Sequence, residues 1–192
     1  VYEWISLKGK GAMSSSTGNT IGPMEALDLV PPEILRFLIA GSKPNKAIEF
    51  DAGMSLVNLA DDYERSCARN IAAELDDETL SRRRKVQLED LMGAVRLSSV
   101  GHNSTTDSSN VSFRHLALLA QTKTDDVQVW QSLSMDENNP PSSVLIDRLK
   151  KMRTWINSPH FPDEMRIKII DEVPSELLGE LSDDDELVLA NL

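Results

Sequence analysis

The sequence predicts a mainly α-helical chain that is entered through one short strand and a glycine-bracketed, hydroxyl-rich loop. Three observations carry this. Apolar residues recur at spacings of three and four through most of positions 53–158. The opening run Tyr2–Leu7 alternates with the period of a strand instead. Proline and glycine punctuation at Pro31-Pro32, Gly41 and Pro140-Pro141 divides the remainder into helix-sized pieces.

After the first strand comes Gly11-Ala12-Met13-Ser14-Ser15-Ser16-Thr17-Gly18-Asn19-Thr20-Ile21. A strand, a small-residue loop and a helix start at Gly22-Pro23 make an arrangement suited to anions. Backbone N–H groups near a helix N-terminus have no intrahelical partner and attract phosphate. Serine and threonine hydroxyls add donors, and a plain Ser/Gly linker is the competing reading. Beyond the loop, Met24, Leu27 and Val30 share a face of a short helix, which Pro31 ends. Pro32 opens another through Glu33 to Ala40, with Ile34, Leu35, Leu38 and Ile39 apolar and Gly41 as its stop. Lys43–Lys46 is a basic turn and Ala47–Phe50 an extended piece.

Gly53–Leu75 reads as one long helix with an apolar stripe of Leu56, Leu59, Ala60, Tyr63, Cys67, Ile71 and Leu75. Leu80–Ser98 is the next, its stripe being Leu88, Leu91, Met92 and Val95. Arg82, Arg83, Arg84 and Lys85 crowd its first turns, where cations oppose the helix dipole. The acidic run Glu74–Glu78 compensates them, or a phosphate backbone does. Gly101–Ser112 is a Ser/Thr/Asn-rich loop; Phe113–Gln121, Asp125–Leu133 and Ser142–Ser158 are helices. The last has the seam Leu145, Leu149, Met152 and Ile156, flanked by Arg148, Lys150, Lys151 and Arg153, the densest basic face in the chain. That face is either solvated or set against RNA phosphate. Met165–Ile170 alternates as an extended piece, Glu172–Glu180 follows, and Ser182 caps a closing acidic helix, Asp183–Leu192.

Bulk properties narrow the function. Forty per cent apolar and 27% charged residues suit a globular protein of one or two domains, and 5% aromatics leave the core to aliphatic side chains. No run of eighteen apolar residues is present, and no secretory signal is expected, since no basic, apolar, small-residue leader is visible. One cysteine, Cys67, and three scattered histidines give neither a disulfide nor a metal-ligand spacing, and Cys67 reads as a buried structural residue. These features favour a reducing, cytoplasmic setting. A net charge of −11 argues against a general nucleic-acid binder, though local basic patches still bind RNA in acidic proteins. His102-Asn103-Ser104 has no catalytic partner, and His115 beside Arg114 reads as a core or boundary residue, or as one that orients the loop or touches RNA.

The order of residues adds more. Ala12-Met13-Ser14-Ser15-Ser16 resembles the KMSKS signature loop of class I aminoacyl-tRNA synthetases, in the variant of the archaeal-type lysyl-tRNA synthetases. Pro31-Pro32-Glu33-Ile34-Leu35-Arg36-Phe37, Lys43-Pro44-Asn45-Lys46-Ala47-Ile48-Glu49-Phe50-Asp51 and Phe113-Arg114-His115-Leu116-Ala117 resemble the same subfamily in the same order. The resemblance implies residues 1–52 as the end of a catalytic domain with a stem-contact segment. Residues 53–192 are then an α-helical anticodon-binding bundle, expected to be incomplete. Because the chain starts without methionine in a strand-like run, a fragment is expected, with a Rossmann domain and its HIGH-type motif upstream.

The implied reaction joins lysine to its tRNA through an adenylate made from ATP, with Mg2+ accompanying the nucleotide and neither expected on the fragment. Ala12, Met13, Ser14, Ser15 and Ser16 would form the closing loop, with the three serines on the ATP phosphates. Ala12 and Ser15 stand where the signature has lysines, so Lys8 and Lys10 are the candidates to supply the missing charge. Arg148, Lys150, Lys151, Arg153, Arg82, Arg83 and Arg84 are the candidate RNA contacts. A glutamyl- or glutaminyl-type synthetase fragment, or a non-enzymatic acidic helical interaction module, are the alternatives.

Overall fold

The computed structural model describes residues 5–7, 11–12, 21–43, 45–99 and 109–168. The chain is mainly helical, as the periodicity predicts, with eight α-helices and a three-stranded sheet among the described residues. Strand β1 (Ile5–Leu7) lies between β2 (Gly11–Ala12) and β3 (Ile48–Phe50). It pairs antiparallel with β2, Ser6 opposite Ala12 and Leu7 opposite Gly11, and parallel with β3, Ile5 opposite Ile48 and Leu7 opposite Phe50. A parallel partner requires a long crossover, and the segment carrying α1 (Pro23–Leu29) and α2 (Pro32–Gly41) supplies it.

The helical part follows as α3 (Met54–Ala68), α4 (Ile71–Leu75), α5 (Arg82–Ser98), α6 (Phe113–Thr122), α7 (Asp126–Ser132) and α8 (Ser143–Ile156). Side chains that accept from the first-turn amides set four of these starts: Asn70 for α4, Ser81 for α5, Ser112 for α6 and Ser142 for α8. Asp125 does the same for α7. Asp51 accepts from the N–H groups of Gly53 and Ser55 and so holds the entry to α3.

Residues from Ile21 to Phe161 enter one buried cluster, to which Phe37, Phe50, Tyr63, Phe113, Met152 and Trp155 contribute the bulk. Trp155 is its hub. The ring lies 5.7 Å from Phe113 and 4.8 Å from Phe161 between centroids, and its N–H donates to the Ala52 carbonyl at 2.6 Å. A buried indole needs such an acceptor, and this one ties α8 to the segment after β3. No helix among the described residues is long and apolar enough to cross a membrane.

The sequence expectations need several corrections. Gly53–Leu75 is not one helix: it breaks at Arg69-Asn70, where the Asn70 side chain accepts from Ala73 N at 3.2 Å and starts α4. Asn prefers to bond the backbone locally, and here that preference outweighs the continuous apolar stripe. Met24 is 73% exposed and Met92 is also exposed, so they do not belong to the apolar faces assigned to them. Gly41 is the last residue of α2, with Ser42 as its cap. Asp163–Met165 is a 3-10 turn, which shortens the extended piece expected from Met165. The expected Glu172–Glu180 segment, the closing helix Asp183–Leu192 and the loop residues 101–108 lie outside the described residues.

Candidate functional site

The signature-like loop leaves from one edge of the sheet and returns into the helical part. Its first residue, Ala12, is placed in β2 opposite Ser6. Met13, Ser14, Ser15 and Ser16, and the candidate cations Lys8 and Lys10, lie outside the described residues. The chain is described again at Ile21, which is buried in the common core, and Gly22 leads into α1. Both ends of the loop are therefore held by backbone pairing or by burial.

The returning end meets an elbow. α1 has only seven residues and stops at Val30, which is fully buried; Pro31 and Pro32 then turn the chain into α2. Prolines fix φ and keep the residue before them out of the α region, so the helix cannot run on from α1 into α2. Helix α8 lies across this elbow. Lys151 Nζ donates to the carbonyl of Leu27 in the last turn of α1. Three residues earlier, Arg148 reaches the first turn of α2, its Nε and Nη2 donating to Glu33 Oε1 at 3.1 and 3.0 Å.

Arg148 is 1% exposed. Its Nη1 also donates to Glu64 of α3 and to Ser109 Oγ at 2.8 Å, while Ser109 N donates to Glu64 at 3.2 Å. The guanidinium lies 5.7 Å from the centre of the Tyr63 ring. Burial opposes its charge, but Glu64 and Glu33 outweigh that and keep its pKa above the ordinary arginine value. Tyr63 is buried, and this raises its hydroxyl pKa, with the neighbouring Cys67 adding to the shift.

The structure thus separates the two basic clusters. On α8, Arg148 is a buried ion-pair centre, not the RNA contact expected of it, because acidic partners from α2 and α3 enclose it. Lys151 is also turned inward, with a side chain 17% exposed. Arg153 donates to Asp126 at 2.9 Å and to the Ala120 carbonyl at the end of α6 at 3.3 Å. Only Lys150 of that expected face stands exposed. On α5, by contrast, Arg82, Arg83 and Arg84 are all exposed in the first turn. Their acidic neighbours are close: Glu74 is lowered in pKa chiefly by Arg69 and further by Arg84, and Asp77 chiefly by Thr79 and further by Lys85.

Lys43 and Gln87 line one cleft of about 580 Å3 between α2 and α5, and Arg83 and Arg84 sit one helical turn before Gln87. Lys43 and Lys46 are exposed. His115 is exposed on α6, not a core residue, and Cys67 is half-buried. Among the described residues no group of three or more His, Cys, Asp or Glu side chains gathers as a metal site. Sequence reasoning missed Glu33, Glu64 and Ser109, and the inward use of Lys151. Pairings across 115, 84 and 124 residues leave no periodic signal.

Comparison with known proteins bears on the whole chain. A family model described as "tRNA synthetases class I (K)" matches residues 1–91. A lysine–tRNA ligase of Thermoplasma volcanium is 35% identical over 194 residues, covering 99% of this chain and 34% of that protein. The lysine–tRNA ligase of Thermoplasma acidophilum is 31% identical, covering 100% and 35% respectively. A shorter match, 57% identical over 65 residues, is to lysine–tRNA ligase 1 of Methanosarcina acetivorans. The chain spans about a third of the length of the curated relatives it matches from end to end.

Proposed function

Because this chain belongs to the class I lysyl-tRNA synthetase family, we propose that the protein carrying it activates lysine with ATP and transfers it to tRNA. One observation carries the reading: the match to a lysine–tRNA ligase runs through 99% of the chain, so it takes in the loop, the elbow and the bundle together. A non-enzymatic helical module would have no reason to keep that order.

In this reading the segment Ala12–Ser16 closes over ATP. Backbone N–H groups and the hydroxyls of Ser14, Ser15 and Ser16 hold the phosphates as the adenylate forms, and closure keeps water out. Lys8 and Lys10 supply the positive charge that Ala12 and Ser15 do not. Mg2+ enters with ATP as part of the substrate, and no described residue is assigned to it. Binding of the tRNA falls to the exposed cations Arg82, Arg83, Arg84 and Lys150, with Lys43 and Lys46 as further exposed cations. Such contacts position the RNA by its phosphates without reading sequence. A cytoplasmic setting goes with this function and with the single cysteine.

The test is amino-acid-dependent ATP–pyrophosphate exchange by the full protein. Exchange driven by lysine, and not by glutamate or glutamine, is the expected result. Exchange driven by glutamate or glutamine would transfer the reading to that branch of the class, and no exchange with any of the three would sink it.

A further inference from the structure

Helices α2 and α5 pack side by side, and one end of the pair is closed by Arg36, whose Nε and Nη2 donate to the Leu97 carbonyl at 3.0 and 2.7 Å. Toward the end of α2 and the start of α5 the two helices part, leaving the cleft of about 580 Å3. That volume falls in the ~300–1,000 Å3 range of small-ligand sites. Its lining is of two kinds. Phe37, Leu59 and Leu91 are apolar, whereas Lys43, Gln87 and Asp90 are polar and exposed. Gln87 and Asp90 are three residues apart on α5, so their side chains are neighbours, and Arg83 stands one turn before Gln87 on the same face. Among the described residues, none of these four polar side chains has a hydrogen-bond or ion-pair partner.

We propose that this cleft takes one unstacked nucleotide of a single-stranded RNA segment, the base entering between α2 and α5 while Lys43 and Arg83 meet the flanking phosphates. The proposal deepens the reading of α5 as part of the RNA surface and rests on it. A site for phosphate alone is ill served by Asp90, whose carboxylate repels an anion. A base needs what the cleft combines: apolar surface to replace its stacking neighbours, and polar groups for its own donors and acceptors. Asp90 accepts from a ring or amino N–H, and the Gln87 amide beside it both donates and accepts. A duplex leaves no base free to enter. A basic peptide, which Asp90 alone would attract, is repelled by Lys43 and Arg83.

The experiment measures binding of the full protein to a short single-stranded RNA of mixed sequence, and to the same strand annealed to its complement. Wild type is expected to favour the single strand. Asp90→Ala removes a negative charge, so electrostatics alone would tighten both complexes. The proposal requires the opposite for the single strand, a loss on the order of 10-fold, with duplex binding not weakened. Gly41→Leu fills the cleft without changing its charge: a Cβ at Gly41 would lie 3.9 Å from the Ala94 Cβ, an ordinary contact. It too should weaken only the single strand, by about 10-fold and at an unchanged salt slope. Arg83→Ala should weaken both RNAs and reduce the slope by roughly 1. Single-strand binding that is unchanged or tighter in Asp90→Ala, or unchanged in Gly41→Leu, overturns the cleft as a base site, while an effect of Arg83→Ala keeps the RNA surface. A wild-type protein that binds neither RNA overturns the RNA reading, and the cleft with it. Absence of lysine-dependent exchange with the RNA results intact overturns the synthetase reading and leaves the cleft standing.

Discussion

Helices α5 and α8 look alike in sequence, each with three or four cations within one or two turns, yet they use them in opposite ways. The α5 cations Arg82, Arg83 and Arg84 stand in solvent at the helix N-terminus, where the dipole disfavours them and the acid Glu74 lies nearby. The α8 cations are folded in. Arg148 holds Glu33 and Glu64, Lys151 meets the C-terminal end of α1, and Arg153 meets the C-terminal end of α6. Elsewhere, Arg36 donates to Leu97 at the end of α5 at 2.7 Å, and Arg166 to Ile156 at the end of α8 at 3.2 Å. Four helix ends thus receive a cation from another part of the chain. A charge cluster becomes a binding face only where no helix end or buried acid claims it.

The most severe break of this contrast is Arg148→Ala. It leaves two carboxylates facing a buried gap, and the unfolding free energy in urea should fall by about 3–5 kcal/mol. The comparison is sharpened by Arg148→Met with Glu33→Gln and Glu64→Gln. Removing all three charges should recover much of that loss, whereas a site that depended on the charge itself would recover nothing. Replacing Arg82, Arg83 and Arg84 together by alanine should do the reverse. Each exposed change should alter stability by no more than about 0.5 kcal/mol. The affinity of the full protein for lysine tRNA should fall, with its salt slope reduced by roughly 2–3. An unchanged slope would remove α5 from the RNA surface.

Between these extremes lies Arg153→Ala. Its pair with Asp126 is partly open to solvent, the side chains being 32% and 60% exposed, so a loss of about 0.5–1 kcal/mol is expected from chemical denaturation. The smallest effect is on acid stability. Glu74 in the folded state has a pKa below its ordinary 4.5, first because of Arg69 and then because of Arg84. A depressed folded pKa means that the contribution is fully present above the unfolded value and is lost as pH falls through the folded one. Arg69→Ala should therefore lower stability slightly at neutral pH and flatten the stability–pH curve below about pH 4.5, so that variant and wild type converge in acid.

Legibility differed between elements for identifiable reasons. Helices α5, α6 and α8 could be read because their apolar spacing and capping serines act within a few residues. The division of α3 from α4 was not read, although Asn70 carried the signal, because the stripe Cys67, Ile71 and Leu75 keeps helical phase through the break. Of the candidate site, the loop was legible as an ordered motif and the exposed cations Arg82–Arg84 as a cluster. The inward contact of Lys151 was not, because a lysine that meets a carbonyl 124 residues away looks in sequence like any solvated lysine.

The sequence by itself determined the helical class, most helix starts, the short strand and family membership, since each depends on local pattern or on residue order. Only the tertiary structure decided which cations face outward. That choice depends on the helix ends and acids brought beside them by folding, and burying a charge is tolerated only when its partners arrive with it.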